Sequence, residues 1–299
     1  MFVMTPADTL MESAADSERR FGGLRRLYGD AGYAQIRRAH VAVIGLGGVG
    51  SWAAEALARS GVAELTLIDL DHVSESNINR QVQALSSTLG QAKAQALRER
   101  IADIHPGCVV HAVEEFADAD NWPLLLTLPV SALIDACDQV RAKAVLATWA
   151  MASGTPLVSV GAAGGKRQAQ AVELADLADV THDPLLAALR QRLRQHHGAP
   201  RKGPMQVSCV FSREAVVQPQ PRPRLQPHPH PQPYPHPPAS TAASTLTTDS
   251  SLNCHGYGST VSVTATFGMV AAGEVLSLLA SSSKELEPPN QQSHEKTHL

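Results

Sequence analysis

One segment limits this chain's possible folds more than any other. Val41-Ala-Val-Ile44 runs directly into Gly45-Leu-Gly47-Gly48-Val-Gly50, and Ser51 to Arg59 follows with helical spacing and good helix formers. Strand, glycine turn and helix in that order make a unit whose next strand must lie parallel to the first, with the helix across one face of the sheet. The rest of the sequence repeats the pattern. Short apolar runs at Leu65 to Ile68, Val109 to Val113, Ala132 to Ile134 and Leu157 to Val160 are separated by helical segments such as Ala92 to Ile104. Such alternation predicts an α/β fold, a Rossmann-like, doubly wound and mostly parallel sheet covered by helices on both sides.

The glycines also imply a ligand. They let the backbone turn tightly and approach a phosphate, while the first free N–H groups of the helix favour negative charge. Asp69 ends the second strand, where a carboxylate can accept hydrogen bonds from ribose hydroxyls. The residues after Asp69 separate this site from that of a dinucleotide dehydrogenase. The chain reads Asp69-Leu-Asp71-His-Val73-Ser-Glu-Ser-Asn77-Ile-Asn79-Arg80-Gln81, then Gly90-Gln-Ala-Lys93 at a helix start and Asp135-Ala-Cys-Asp138 at a strand end. Arg80 and Lys93 would set two cations beside the phosphate turn. Hydride transfer has no use for them, whereas displacement of pyrophosphate by a carboxylate builds charge on phosphate oxygens that they can stabilise. Asp138 could hold the accompanying magnesium, which prefers oxygen ligands. The residues therefore predict ATP and Mg2+, with Arg80, Lys93 and Asp138 as catalytic candidates and Gly45, Gly47, Gly48 and Asp69 as binding candidates.

Domain organisation can be read from composition. Pro219 to Pro238 holds ten of the chain's 20 prolines, and Ser/Thr/Ala-rich sequence continues to Ser251. Pro removes backbone donors and blocks helix, so residues 216–250 are expected to form a disordered insertion. Its His228, His230 and His236 read as incidental to a proline-rich loop. The expected layout is a flexible tail over 1–18, one ATP-binding adenylation domain over 19–215 and 251–282, and a polar tail over 283–299. Thr260 to Ala280 is apolar and is expected to return to the core as a strand followed by a helix.

With 25 Lys+Arg against 28 Asp+Glu the formal charge is −3, so a nucleic-acid partner must be met by a local basic patch. From the residues alone, Arg190, Arg192 and Arg194 on an expected helix, with His196, His197, Arg201 and Lys202 after it, read as a solvated helix face; they become the first-choice patch only where a nucleic-acid partner is implied on other grounds. Four Cys without a CxxC pair argue against a disulfide scaffold and a zinc ribbon. Cys137 reads as packing, and Cys108 and Cys209 carry no further signal. No uninterrupted apolar run approaches the ~20 residues of a membrane span. Residues 1–18 lack the features of a secretion signal or organelle presequence. A cytoplasmic protein is expected, or a mitochondrial or plastid one if a presequence is missing.

The motifs GxGGxG, DxDxVxxxNxxRQ, LGQAK and DAxD, from Val41 to Asp138, resemble those of the ThiF/MoeB superfamily, which includes the ubiquitin-activating enzymes. Further segments are similar to the tRNA threonylcarbamoyladenosine dehydratase family within it: Arg20 to Gly29, Gly161 to Gly165, Asp183-Pro-Leu185, Val210 to Glu214 and Val263 to Gly268. The resemblance implies an ATP-dependent enzyme that adenylates the carboxylate of threonylcarbamoyladenosine beside the tRNA anticodon and closes it to a ring. It adds Asn77 and Gln81 to the residues around the triphosphate and implies a homodimer. The superfamily arginine that reaches across the dimer falls near Gly23, so Arg20, Arg25 or Arg26 would have to serve. Gln139 stands where the superfamily often has Asn, and Gln168-Ala-Gln170 replaces an Asp-Pro-Thr turn. Cys254, beside His255, lies where dehydratase relatives carry a cysteine linked to a sulfur-relay partner, a cysteine desulfurase or sulfur acceptor. It reads either as that accessory thiol or as an inert one, and is not expected to be essential. The rival reading within the fold is an activator of a ubiquitin-like or sulfur-carrier protein, with Cys254 as acceptor. A non-catalytic nucleotide-binding adaptor is the alternative from another class.

Overall fold

The computed structural model describes residues 16, 18–217 and 257–281. Apart from 16, 18, 216 and 217, the expected tails and insertion lie outside the described residues, and so does Cys254.

The chain starts with α1 (Gly23–Arg38), β1 (His40–Ile44), α2 (Gly50–Arg59) and β2 (Glu64–Ile68). It continues through α3 (Lys93–Ile104), β3 (Val109–Val113), β4 (Ala132–Asp135), α4 (Val140–Ser153) and β5 (Leu157–Val160). β6 (Val172–Asp176), α5 (Pro184–His196), β7 (Ser208–Ser212) and α6 (Val261–Ser281) complete it. Among the described residues the sheet has seven strands in the order β3-β2-β1-β4-β5-β7-β6. All neighbours are parallel except β6, which pairs antiparallel with β7 at the edge.

Alternation along the strands feeds two cores. Val41 and Val43 of β1 face one side with Leu65 and Leu67 of β2, packed under α2, α3 and α6. Ala42 and Ile44 face the other with Ile68 and Leu133, packed under α4 and α5. Strands buried on both faces read as continuous apolar runs, which is why β1, β4 and β5 are legible in the sequence.

The expected strand at the start of Thr260 to Ala280 does not form; Val261–Ser281 is one helix. Its β-branched start suggests strand, but Val263, Phe267, Ala271, Val275 and Leu279 recur every four residues and are all buried, which is the helical period. α6 is long and apolar enough to cross a membrane, yet half of it is buried inside this fold, mainly against α2 and α1.

Candidate active site

β1 and β4 are neighbours whose following helices, α2 and α4, cover opposite faces of the sheet. A crevice opens beyond the strands' C-terminal ends at such a reversal, where open α/β sheets place their ligands. Gly45 has φ +84° and Gly50 lies so close to the turn that an added Cβ would meet the Gly45 carbonyl oxygen at 1.8 Å. Both positions require glycine. The turn brings the N-terminus of α2 into the crevice, and Gly47 and Gly48 line it beside Gly45.

Asp69 fixes this turn from β2. Its Oδ2 accepts the Leu46 N–H at 2.6 Å and its Oδ1 the Asp71 N–H at 2.9 Å. Burial pushes its pKa up, opposed by the nearby Lys93 ammonium and these N–H groups. Lys93 opens α3 and is itself buried, with Nζ 2.7 Å from Asp71 Oδ2 and 3.8 Å from Asp69 Oδ1. Arg80 lays its aliphatic stem against Gly48. Its carbonyl accepts the Trp52 indole N–H at 2.9 Å, and its Nη1 donates to Ser76 O and Asn79 Oδ1.

The opposite wall comes from β4 and β5. Asp138 lines the crevice, and its carboxylate has no hydrogen-bond or ion-pair partner among the described residues. An unpaired acid facing two cations across a phosphate-sized turn suits a hard cation held between protein and phosphate. Behind it, Asp135 and Lys143 form an ion pair with no exposed side-chain surface, Nζ to Oδ2 3.1 Å. Lys143 also donates to Val160 O at 2.7 Å, and Ser159 donates to Asp135 Oδ2 at 2.8 Å. Cys137 Sγ lies 2.8 Å from Asp135 Oδ1, and burial pushes its thiol well up, as suits a packing residue.

Of the predicted site residues, Gly45, Gly47, Gly48, Asp69, Arg80, Gln81, Lys93 and Asp138 line one crevice. Asn77 does not line it: the residue is buried and its Oδ1 accepts the Ser74 N–H, capping a short turn. The basic patch is also partly structural. Arg190 donates to the Leu177 and Val180 carbonyls and Arg194 to that of Pro200, whereas His196, His197, Arg201 and Lys202 are exposed. Near Gly23, Arg20 donates to Ile104 O and Asp16, and Arg25 pairs with Glu18 and Asp30. Arg26 is exposed with no side-chain partner among the described residues.

Sequence reasoning gave no site role to Glu115 to Ala117 after β3, to Gly161, Ala163 and Gly164 after β5, or to Ser259 and Thr264 at the start of α6, all of which line the crevice. The first two groups stand beyond the C-terminal ends of parallel strands and could have been placed by that rule; Gly161 to Gly165 and Val263 to Gly268 carry part of the family resemblance, but no local chemistry in them pointed to a site.

Comparison with known proteins agrees with this geometry. The chain is 41% identical over 261 residues to the tRNA threonylcarbamoyladenosine dehydratase of Escherichia coli, covering 86% of this chain and 92% of that protein. It is 36% identical over 274 residues to the Haemophilus influenzae enzyme of the same name, covering 91% and 97%. A crystal structure of the E. coli dehydratase in complex with ATP superposes with a TM-score of 0.75 at 37% identity, over 96% of this chain and all of the other. The ThiF family model matches residues 21–298, and the chain belongs to the ThiF family.

Proposed function

We propose that this chain is an ATP-dependent tRNA threonylcarbamoyladenosine dehydratase. The observation that carries the reading is the crevice itself: a glycine turn at the β1/β4 reversal, with Arg80 and Lys93 on one side and the unpaired Asp138 on the other. End-to-end similarity to two bacterial dehydratases, one also solved with ATP, supports the choice of substrate.

In this reading the Gly45–Gly48 turn and the first N–H groups of α2 bind the phosphates, and Asp69 holds the turn in shape from the crevice wall, where its carboxylate would also accept from the ribose hydroxyls. Arg80 and Lys93 stabilise the charge that grows on phosphate oxygens as the substrate carboxylate is adenylated. Lys93 must trade its contact with Asp71 for phosphate, and Asp71 thereby keeps the ammonium aimed when no nucleotide is present. Gln81 supports the same wall. Asp138 would hold Mg2+, which supplies further charge neutralisation when bound. Ring closure by the substrate's own nitrogen is intramolecular, so orientation provides much of the rate and the enzyme needs no nucleophile. Cys254 would then be an accessory thiol for a sulfur-relay partner. His196, His197, Arg201 and Lys202 offer the tRNA a cationic surface, and in a homodimer the exposed Arg26 is the arginine free to reach a second copy. A cytoplasmic site of action belongs to the same proposal.

ATP–pyrophosphate exchange measured with and without tRNA tests the reading. Exchange that requires tRNA carrying threonylcarbamoyladenosine, with the cyclic product seen by mass spectrometry of the nucleosides, supports it. Exchange that requires a carrier protein instead would replace it with carrier activation. Arg80→Ala and Lys93→Ala should each slow exchange ~10²-fold or more, the usual cost of losing a preorganised charge partner.

A further inference from the structure

The other end of the sheet holds a second cluster of functional side chains. In the register, His40 of β1 lies opposite Glu64 of β2, and Thr66 of β2 opposite His111 of β3. Alternate residues share a face, so all four side chains stand on one side of three adjacent strands. The rest of that side is apolar, built from Ala42, Ile44 and Ile68. The cluster sits at the strands' N-terminal ends, remote from the crevice beyond Ile44 and Ile68.

The Glu64 carboxylate lies between two imidazoles. Its Oε1 is 2.6 Å from His111 Nε2 and its Oε2 is 3.9 Å from His40 Nδ1. One ligand atom from each of the three residues lies within 4.8 Å of the other two. His40 is buried, whereas the Glu64 and His111 side chains are 24% and 31% exposed, which leaves an ion a way in. A satisfied polar network accounts for His40: its Nδ1 is 2.9 Å from Pro129 O and its Nε2 2.8 Å from Thr66 Oγ1. It does not account for a second imidazole and a carboxylate converging on the same spot, nor for Glu64 Oε2, which accepts no hydrogen bond from a described residue.

We propose that His40, Glu64 and His111 form a site for a divalent transition-metal ion of the zinc class. Two imidazoles and a carboxylate suit such an ion, while magnesium and calcium prefer all-oxygen sets. Ligands ~2.0–2.2 Å from a tetrahedral ion stand ~3.3 Å apart, so the three donors need only side-chain rotation. The proton balance is simple. A neutral His111 shifts the Nε2 proton it now donates to Glu64 to its Nδ1 by exchange with solvent, and the Nε2 lone pair becomes a ligand. His40 moves its proton from Nδ1 to Nε2, where the Thr66 hydroxyl accepts it; Nδ1 gives up its hydrogen bond to Pro129 O, leaving that carbonyl to solvent, and its lone pair turns to the ion as the ligand. Thr66 thus orients the metal-binding tautomer. The bound ion would tie β1, β2 and β3 together at the end of the sheet away from catalysis and favour the folded state by mass action.

The test uses the full chain, stripped with chelator and kept in excess magnesium to occupy the ATP site. Zn2+ is titrated against a chromophoric chelator for the wild-type protein and for Glu64→Gln and His111→Asn, each checked for folding by circular dichroism. One equivalent should disappear or weaken at least tenfold in both variants. Other histidines and cysteines bind alike in all three proteins and cancel. Added Zn2+ should raise the wild-type melting temperature and leave that of the variants unchanged. Co2+ should give the wild type visible bands of a nitrogen/oxygen tetrahedral site, without thiolate charge transfer. Identical stoichiometry and affinity in all three proteins would overturn the proposal. Should the variants fail to fold, the absence of both the Co2+ bands and the Zn2+-dependent melting shift in the wild type would overturn it equally.

Discussion

Lys143→Met is the sharpest probe of how the fold supports the crevice. Methionine matches lysine in length and replaces the ammonium with an apolar group, stranding the Asp135 carboxylate in a place with no solvent access. Ser159 and Cys137 still donate to that carboxylate, but neither carries charge. Breaking one side of a buried ion pair typically costs ~3–5 kcal/mol, a third or more of the ~5–15 kcal/mol that holds a domain together. Lys143 also ties Val160 O to Asp135 O, joining the ends of the strands that lead to Asp138 and to Gly161. Nucleotide affinity should therefore fall in the same variant. Adding Asp135→Asn removes the stranded charge and should restore about 2 kcal/mol or more relative to additivity. Urea unfolding monitored by circular dichroism, run as a double-mutant cycle, measures both numbers. A cost under about 1 kcal/mol for Lys143→Met, or strict additivity, would refute the claim that this pair holds β4 and β5 in place.

Gly50→Ala drives a Cβ into the Gly45 carbonyl; it should cost about 3 kcal/mol and abolish ATP binding by calorimetry. Asp138→Asn would remove the proposed anionic magnesium ligand and should raise the half-saturating magnesium concentration for pyrophosphate exchange on the order of tenfold, with ATP affinity in the absence of magnesium unchanged. His105 packs edge-on against Phe21 and faces the Arg37 guanidinium, and burial together with that charge lowers its pKa from 6.5 to about 4. Since the folded value lies below the unfolded one, the neutral ring's contribution is complete above pH 6.5 and is lost as pH falls toward about 4. Urea midpoints across that window should decline in the wild type and flatten in His105→Leu.

How much of this could be seen beforehand depends on what each segment packs against. β1, β4 and β5 are apolar runs sealed on both faces, and the glycine turn has no other economical conformation, so both were legible; β3 is only partly buried and was legible from its β-branched residues. β6 was not. Val172-Glu-Leu-Ala-Asp176 is a half-buried edge strand, and it needs β7 as antiparallel partner before it resembles a strand at all. α4 hides Lys143 inside a helix whose buried face is otherwise mostly alanine, and no local pattern tells a buried lysine from a solvated one before the facing Asp135 is known. Asn77 was placed by motif position alone, and the turn it caps uses the side chain that was expected to meet phosphate.

α6 has a consequence for how the protein is made. Its Val263, Phe267 and Val275 are fully buried against elements that were synthesised long before it, and each such side chain contributes ~1.5–3 kcal/mol on burial. Thr264 of the same helix forms part of the crevice wall beside Gly48. A nascent chain that has finished the whole sheet therefore still carries a bare apolar face over β4 and β5 and an incomplete nucleotide pocket until α6 leaves the ribosome. Nucleotide affinity and a sealed core arrive together, so a nucleotide that binds the finished site also favours the chain whose α6 has docked.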